Sequence, residues 1–445
     1  MSDQASEWDK YLLGSVLFIA LLIGGGTASG LYTDALIEIA AIVAAAAALS
    51  RPSSQSIPGW ILWVLFLALA LLVLQVVPLP AGLVADMRPD VLLGGPWLPG
   101  SMRFISVGVG RTVECLIYVV SVAAFFLAVM RLRPEQVYGL LPFFFMGVIC
   151  NGLAGAIQYS LSDDIAIQGL LPFTINAGLF ANRNHFAALL FVAIPFAVYH
   201  GLFRGHLLSG TLGLAALLLL LLAASSRAGV LIGLAITIIS VIFLSARSRL
   251  SGVGILVLFV GLAVYTIGAW TKIDSRAVDP DFGRSEFAWT TIEGIKQNWQ
   301  AGIGFGNFQK AYQIYERKEM IFNAYVNHAH NDYLEIVFEG GIAAAVIVGL
   351  YGILLIGSGL RGRRDPLQKA AFLSVSFLLV HSLVDYPLRT LALAMTFAYM
   401  NAIIFYTGFT SRVVQGGLLE VEHNGERLFV PPKSSPYIRV ECLPL

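Results

Sequence analysis

The chain has 445 residues, of which 57% are hydrophobic and only 12% charged, with a net charge of +1. A soluble domain carries about 25% charged residues, so water cannot be the main solvent here. The near-neutral balance argues against a nucleic-acid partner, because neutralising phosphates requires a basic surface. Cys115, Cys150 and Cys442 lie far apart with no CxxC spacing, which suggests neither a zinc site nor a disulfide framework.

Residues 1–10 are polar and mixed in charge, and no small-residue cleavage pattern follows, so the first apolar run is expected to be retained. Scanning for runs of about 20 apolar residues, the length that crosses a bilayer as a helix, gives about twelve spans. They fall at 11–27, 31–49, 59–77, 112–130, 137–159, 184–203, 207–224, 228–246, 252–270, 341–360, 367–385 and 391–409. The fold class expected is therefore all-α, a polytopic membrane bundle.

Alternate short loops carry Arg51, then Arg131 and Arg133, then Arg204, then Arg247 and Arg249, then Arg361, Arg363 and Arg364. Positive residues stay on the cytoplasmic side, which puts these loops and both termini in the cytoplasm and the intervening connections outside. The longest outer connection, 271–340, has two stretches of helical period: Ala288, Ile292, Ile295 and Trp299, then Phe308, Ala311, Tyr312 and Tyr315. Two amphipathic helices lying over the bundle are expected, as a structural lid or as a substrate gate. In the tail, residues 418–430 alternate around Asn424-Gly425, a hairpin signal. No internal repeat of the kind found in many secondary transporters is visible.

Five polar clusters interrupt the apolar background: Asn182-Arg183-Asn184-His185, Ser225-Ser226-Arg227, Gly283-Arg284, His328-Ala329-His330-Asn331-Asp332-Tyr333, and the run from His381 to Arg389 that contains Asp385. By loop parity all five lie at the outer ends of spans. Arginines in short outer connections run against the topological preference. Any one of them could be structural: Arg227 could snorkel or pair with a carboxylate such as Asp385, and Arg389 could anchor at the headgroup level. Arg183, Arg227 and Arg389 together with two histidine clusters point instead to an anion site, for which guanidinium offers a permanent charge and a planar fork.

His328, His330 and Asp332 have the HxHxD spacing of metallohydrolases, but Tyr333 stands where a further histidine is expected, so no metal is assigned. A neutral imidazole can take a proton from a hydroxyl, with Asp332 or Asn331 fixing its tautomer. Gly302-Ile303-Gly304-Phe305-Gly306 follows a helix rather than a strand and lacks a P-loop lysine, so it is read as a tight turn between the two loop helices. Glu38 and Glu114, inside spans, are either proton-relay groups or structural partners.

NRNHFAALL, SSRAGVLIG, GIGFGNF, HAHNDYLE and HSLVDYPL, in this order, resemble the O-antigen ligase and O-antigen polymerase superfamily of bacterial envelope glycosyltransferases. The resemblance covers mainly residues 178–389; the first half is similar only in being a stack of spans. It implies an N-terminal transmembrane half (1–177), a catalytic half (178–409) that includes the 271–340 loop, and a cytoplasmic tail (410–445). The fold implied is of the C-type glycosyltransferase kind, in the bacterial inner membrane. The donor implied is a polyprenyl-pyrophosphate-linked glycan, and the acceptor a hydroxyl on a glycan, lipid A core or protein. No nucleotide sugar, cofactor or obligatory metal is implied, and envelope polysaccharide assembly proteins are possible partners. Carried over by motif, the catalytic residues are Arg227, Arg284 and His330. The substrate-binding residues expected around them are Asn182, Arg183, Asn184, His185, Ser226, His328, Asn331, Asp332, Asp385 and Arg389.

The chemistry agrees with that implication. A sugar leaving a lipid pyrophosphate develops negative charge that fixed arginines can stabilise, and His330 would take the proton of a hydroxyl attacking from the opposite face, giving inversion. A carrier or flippase for the same lipid-linked glycan is the rival, and would distribute its charges toward the midplane; a non-catalytic envelope-assembly scaffold is a third reading.

Overall fold

The computed structural model describes residues 2–53, 55–88, 102–160, 176–202, 204–245, 265, 268, 283–318, 321, 326–360, 365–406, 411–413, 419–423 and 426–430. In chain order these contain α1 (Ser2–Ile23), α2 (Tyr32–Leu49), α3 (Gly59–Val76), β1 (Leu79–Pro80), α4 (Ala81–Met87), β2 (Met102–Arg103), α5 (Val109–Met130), α6 (Pro134–Tyr138), α7 (Leu141–Ser160), α8 (Arg183–Leu202), α9 (Leu207–Ala224) and α10 (Arg227–Ser245). There follow α11 (Arg284–Asn298), α12 (Phe308–Tyr315), α13 (Asp332–Leu360), α14 (Pro366–His381), a 3-10 turn (Pro387–Arg389), α15 (Leu391–Phe405), β3 (Ser411–Val413), β4 (Leu419–His423) and β5 (Glu426–Val430).

The fold is an all-α polytopic membrane bundle. Among the described residues, eight helical stretches are long and apolar enough to cross a bilayer. The expected span 252–270 lies outside the described residues except for Tyr265 and Gly268. The spans expected at 367–385 and 391–409 form helices of only 16 and 15 residues, about 24 Å or less at 1.5 Å per residue. They are short because the polar turn joining them is sunk into the bundle: Ser382, Asp385 and Thr390 are all buried.

The centre is built from α8 and α15. Every residue from His185 to Tyr199 is buried, as is all of α15 except Phe397, the expected state of a helix that is apolar all round. Outer helices such as α2 and α3 bury only one stripe and leave Leu36, Ile39, Val43, Trp63 and Phe66 exposed to lipid. Buried polar groups are satisfied inside the protein, as hydrocarbon requires: Asn151 Nδ2 donates to the Leu21 carbonyl (2.8 Å), Ser374 Oγ to that of Val192 (2.7 Å) and Tyr399 Oη to that of Val137 (2.9 Å).

The two ends of the bundle differ in chemistry. At one end the acids of α1 collect the arginines of two connections: Asp9 pairs with Arg51, and Glu7 with both Arg133 (3.2 Å) and Lys10 (2.7 Å). At the opposite end the last residues of α1 meet the first of α15, where Ala392 N donates to the Gly24 carbonyl (3.0 Å). The polar motifs all lie at this second end.

The helices expected in the 271–340 loop are α11 and α12, but α11 does not bury the face its apolar period suggests. Glu286, Thr290, Thr291, Gly294 and Asn298 point inward, Ile295 is only partly buried, and Trp299 is exposed. The inward residues are small or polar because α11 packs closely on α13: a Cβ on Gly294 would stand 2.5 Å from the Phe338 ring. Residues 332–340, expected as loop, are the first turns of α13, which breaks at Gly341 (φ +63°) before the apolar span continues.

The glycine motif is a tight turn between α11 and α12, with Gly302, Gly304 and Gly306 at φ of +71°, +90° and +79°. Its backbone is held by long-range partners. Gly306 N (2.8 Å) and Phe308 N (3.2 Å) donate to Glu339 Oε1, and Phe305 N donates to Gln75 Oε1 (3.0 Å). In the tail, β4 and β5 pair antiparallel with His423 opposite Glu426, and β3 adds to the other edge of β4; the expected hairpin is present.

Candidate functional site

The motif residues meet at one end of the bundle because several helices begin there. α8 starts at Arg183, α10 at Arg227, α11 at Arg284 and α13 at Asp332. Asn182 Oδ1 accepts from Asn184 N (2.8 Å), Ser226 Oγ from Gly229 N (3.1 Å), and Asn331 Oδ1 from Tyr333 N (3.0 Å) and Leu334 N (3.1 Å). These side chains therefore satisfy first-turn N–H groups that have no partner within the helix. Helix N-termini carry partial positive charge, and those of α8 and α10 lie side by side: a Cβ on Gly229 would meet the Ala187 methyl at 2.5 Å.

Asp385, in the sunken turn, is the hub. Asn184 Nδ2 donates to its Oδ2, and Tyr386 N to its Oδ1 (3.0 Å). His330 Nδ1 lies 3.4 Å and His185 Nε2 3.8 Å from Oδ1. Burial opposes ionisation of this carboxyl, but its polar contacts with the His185 and His330 imidazoles outweigh it and hold the pKa well below the usual carboxylate range. Asp385 is thus an anion facing imidazoles. The expectation that Asp332 or Asn331 fixes the His330 tautomer is not met. Asn331 caps α13 and donates to the Leu383 carbonyl (3.0 Å), while Asp332 accepts from Ser382 Oγ (2.9 Å).

His330 sits in the left-handed region at φ +51°, a conformation uncommon outside glycine. It turns the chain into α13 and presents the ring between two aromatics. Phe287 of α11 stacks on it (5.8 Å between centroids, 28°) and Tyr386 meets it edge-on (4.9 Å, 77°). Through Phe287 the first turn of α11, with half-buried Arg284, stands beside His330.

His328 lies on the other side of Tyr386 (4.1 Å, 31°), and its Nδ1 is 2.7 Å from Glu335 Oε1. Desolvation opposes its protonation, but the charge and hydrogen bond of Glu335 prevail and raise its pKa above the ordinary value. His328 and His330 thus face different carboxylates. Tyr386, also contacted by Asn182 and Asn327, has its hydroxyl pushed up to about 12, by burial first and then by Asp385.

Arg389 turns into the protein beneath this layer, its side chain 18% exposed, against three carboxylates of one face of α13: Asp332 (3.6 Å), Glu335 (3.5 Å) and Glu339 (2.9 Å). Its charge is matched internally, so it serves as a strut between the sunken turn and α13. Arg183 and Arg227 are exposed at the starts of their helices. Glu114 pairs with Arg111 at the protein surface (3.0 Å, side chain 48% exposed).

The structure therefore gathers Asn182, Asn184, His185, His328, His330 and Asp385 around Tyr386, sets Asp332 and Arg389 below them, uses Ser226 and Asn331 as caps, and leaves Arg183, Arg227 and Arg284 around the rim. Glu335 and Glu339 were missed in the sequence, although Asp332, Glu335 and Glu339 recur at i, i+3 and i+7, one helix face. Tyr386 and Phe287 carried no signal beyond being aromatic next to a motif.

No curated protein matches the chain. Residues 212–349 match the family model described as O-antigen ligase, a stretch that runs from within α9 into α13 and includes Arg227, Arg284 and His330.

Proposed function

We propose that this multi-pass membrane protein moves a glycan from a polyprenyl-pyrophosphate carrier to an acceptor hydroxyl at the extracytoplasmic face of the bacterial inner membrane, as an inverting, metal-independent transferase. The family implies ligase- or polymerase-type glycan transfer in envelope biosynthesis. The observation that carries the finer reading is the His330–Asp385 pair at 3.4 Å. The imidazole is partly open, 21% exposed, while the carboxylate behind it is buried and ionised. A base of this kind takes the acceptor proton on one ring nitrogen while the carboxylate stabilises the cation formed. The separation exceeds a full hydrogen bond, as is common before substrate closes a site.

The pyrophosphate would lie at the rim, where Arg227, Arg284 and Arg183 surround helix N-termini that themselves favour anions. Arg227 and Arg284 would bear the charge that grows on the leaving group. Residues 178–409 form the catalytic half in this reading, and both termini are cytoplasmic. The gathering of the motifs at one end of the bundle favours an enzyme over a carrier, which needs a path across the membrane.

The test uses purified protein in detergent with a polyprenyl-pyrophosphate glycan, an acceptor and a chelator, where transport has no meaning. Product from wild-type protein and none from His330→Ala supports transfer. Activity lost to the chelator and restored by a divalent cation removes the metal-independent mechanism, and equal product from both proteins removes His330 as the base.

A further inference from the structure

A cavity opens at the same end of the bundle, on the far side of α12 from His330. Its volume is about 680 Å³, within the roughly 300–1,000 Å³ of small-molecule sites. Such sites are mostly apolar, but no aliphatic or aromatic side chain lines this one. One wall is the exposed face of α12, with Gln309, Lys310 and Gln313; the other is the start of α5, with Arg111 and Glu114. Arg111 also donates to Ser29 Oγ from the α1–α2 connection, which fixes that wall.

The floor is Asn307. Its Nδ2 donates to the Gly304 carbonyl (3.0 Å) and contacts the hydroxyls of Ser106 (3.1 Å) and Thr112 (3.2 Å). Its Oδ1, on a residue only 2% exposed, accepts nothing among the described residues and lies against Gly108. At Gly110 a Cβ would meet nothing within 4 Å; the space beside it is open.

We infer that this cavity is a subsite for the acceptor glycan, holding sugar units away from the hydroxyl that reacts. This rests on the transfer reading above. Sugar hydroxyls both donate and accept, and planar amides, a carboxylate and a guanidinium offer both functions in fixed directions. An isoprenoid tail finds no aliphatic or aromatic side chain to pack on here. A pyrophosphate finds too little charge, because Glu114 offsets Arg111 and leaves the ammonium of Lys310 as the net cation. The opposite face of α12 carries Tyr312, which meets Phe287 at 6.2 Å, and Phe287 stacks on His330. A glycan bridging cavity and His330 thus crosses a single helix.

The experiment measures fluorescence anisotropy of a labelled oligosaccharide pool released from the producing strain's own surface polysaccharide, with purified protein in detergent. Wild type and His330→Ala should bind it alike. Gly110→Trp, which fills open space, and Gln309→Ala with Gln313→Ala, both on the exposed face, should weaken binding at least tenfold and raise the acceptor KM when transfer is followed. No binding by wild type, or equal binding by the pocket variants, overturns the subsite. Pocket-dependent binding without any product would sink the transfer reading and leave the cavity as a glycan-binding site. Product formed by the pocket variants with an unchanged acceptor KM would do the reverse.

Discussion

His330 and Asp385 stand 3.4 Å apart although α13 and α14 separate them in the chain. The hairpin of those two helices returns the sunken turn to the start of α13, where Asp332 N donates to the Ser382 carbonyl (2.9 Å). Asp385→Asn keeps the shape and removes the charge, so the imidazolium formed during catalysis loses its counter-ion. Transfer is expected to fall by about a hundredfold, the scale of a general-base contribution, with the acceptor KM little changed. A parallel rise in KM with kcat intact would assign Asp385 to binding.

The rim arginines should separate by chemistry. Arg227→Ala and Arg284→Ala are each expected to lower transfer by about a hundredfold or more, whereas Arg→Lys keeps the charge, loses the fork and retains partial activity. Normal turnover by an alanine variant at wild-type membrane abundance would place that arginine outside the pyrophosphate site.

Arg389 behaves differently because three carboxylates depend on it. Arg389→Ala leaves Asp332, Glu335 and Glu339 buried without their cation, a loss of about 3–5 kcal/mol. The expected result is a collapse in folded protein, read as membrane abundance and melting temperature in detergent. Full abundance with selective loss of donor binding would show that Arg389 contacts substrate after all.

His328 gives a pH signature. Glu335 raises its folded pKa, so the stability it contributes is complete below the unfolded value near 6.5 and is lost as pH rises through the raised folded value. The melting temperature of wild type in detergent should decline across that window, and His328→Gln should flatten the slope. An unchanged slope in the variant would assign the decline to another group.

Orientation is testable at Gln300, exposed just before the glycine turn. A cysteine there, in a chain freed of its own three, should react with an impermeant reagent in intact cells bearing an opened outer membrane. Labelling only after the inner membrane is breached would invert the orientation and move the site to the cytoplasm.

Much of this was readable before any coordinates. Spans follow from run length, and the gathering of the polar clusters follows from counting them. Three things were not. The partner of His330 is remote in sequence, and nothing local distinguishes Asp385 from Asp332. Ser226 and Asn331 carry a capping signal that a binding reading overlooked, since a polar residue before a helix serves either purpose. The inward face of α11 is set by close approach to α13, which a hydrophobic period cannot register, so Gly294 and Thr291 replace the larger residues the pattern favours.

The hydrogen bond from Ala392 to Gly24 has a consequence for how the chain is made. Gly24 leaves the ribosome 368 residues before Ala392. The rim of the bundle therefore stays unsealed until α15 has been made, and a polypeptide released before Leu391 would carry every proposed catalytic side chain yet lack the contact between α15 and the end of α1.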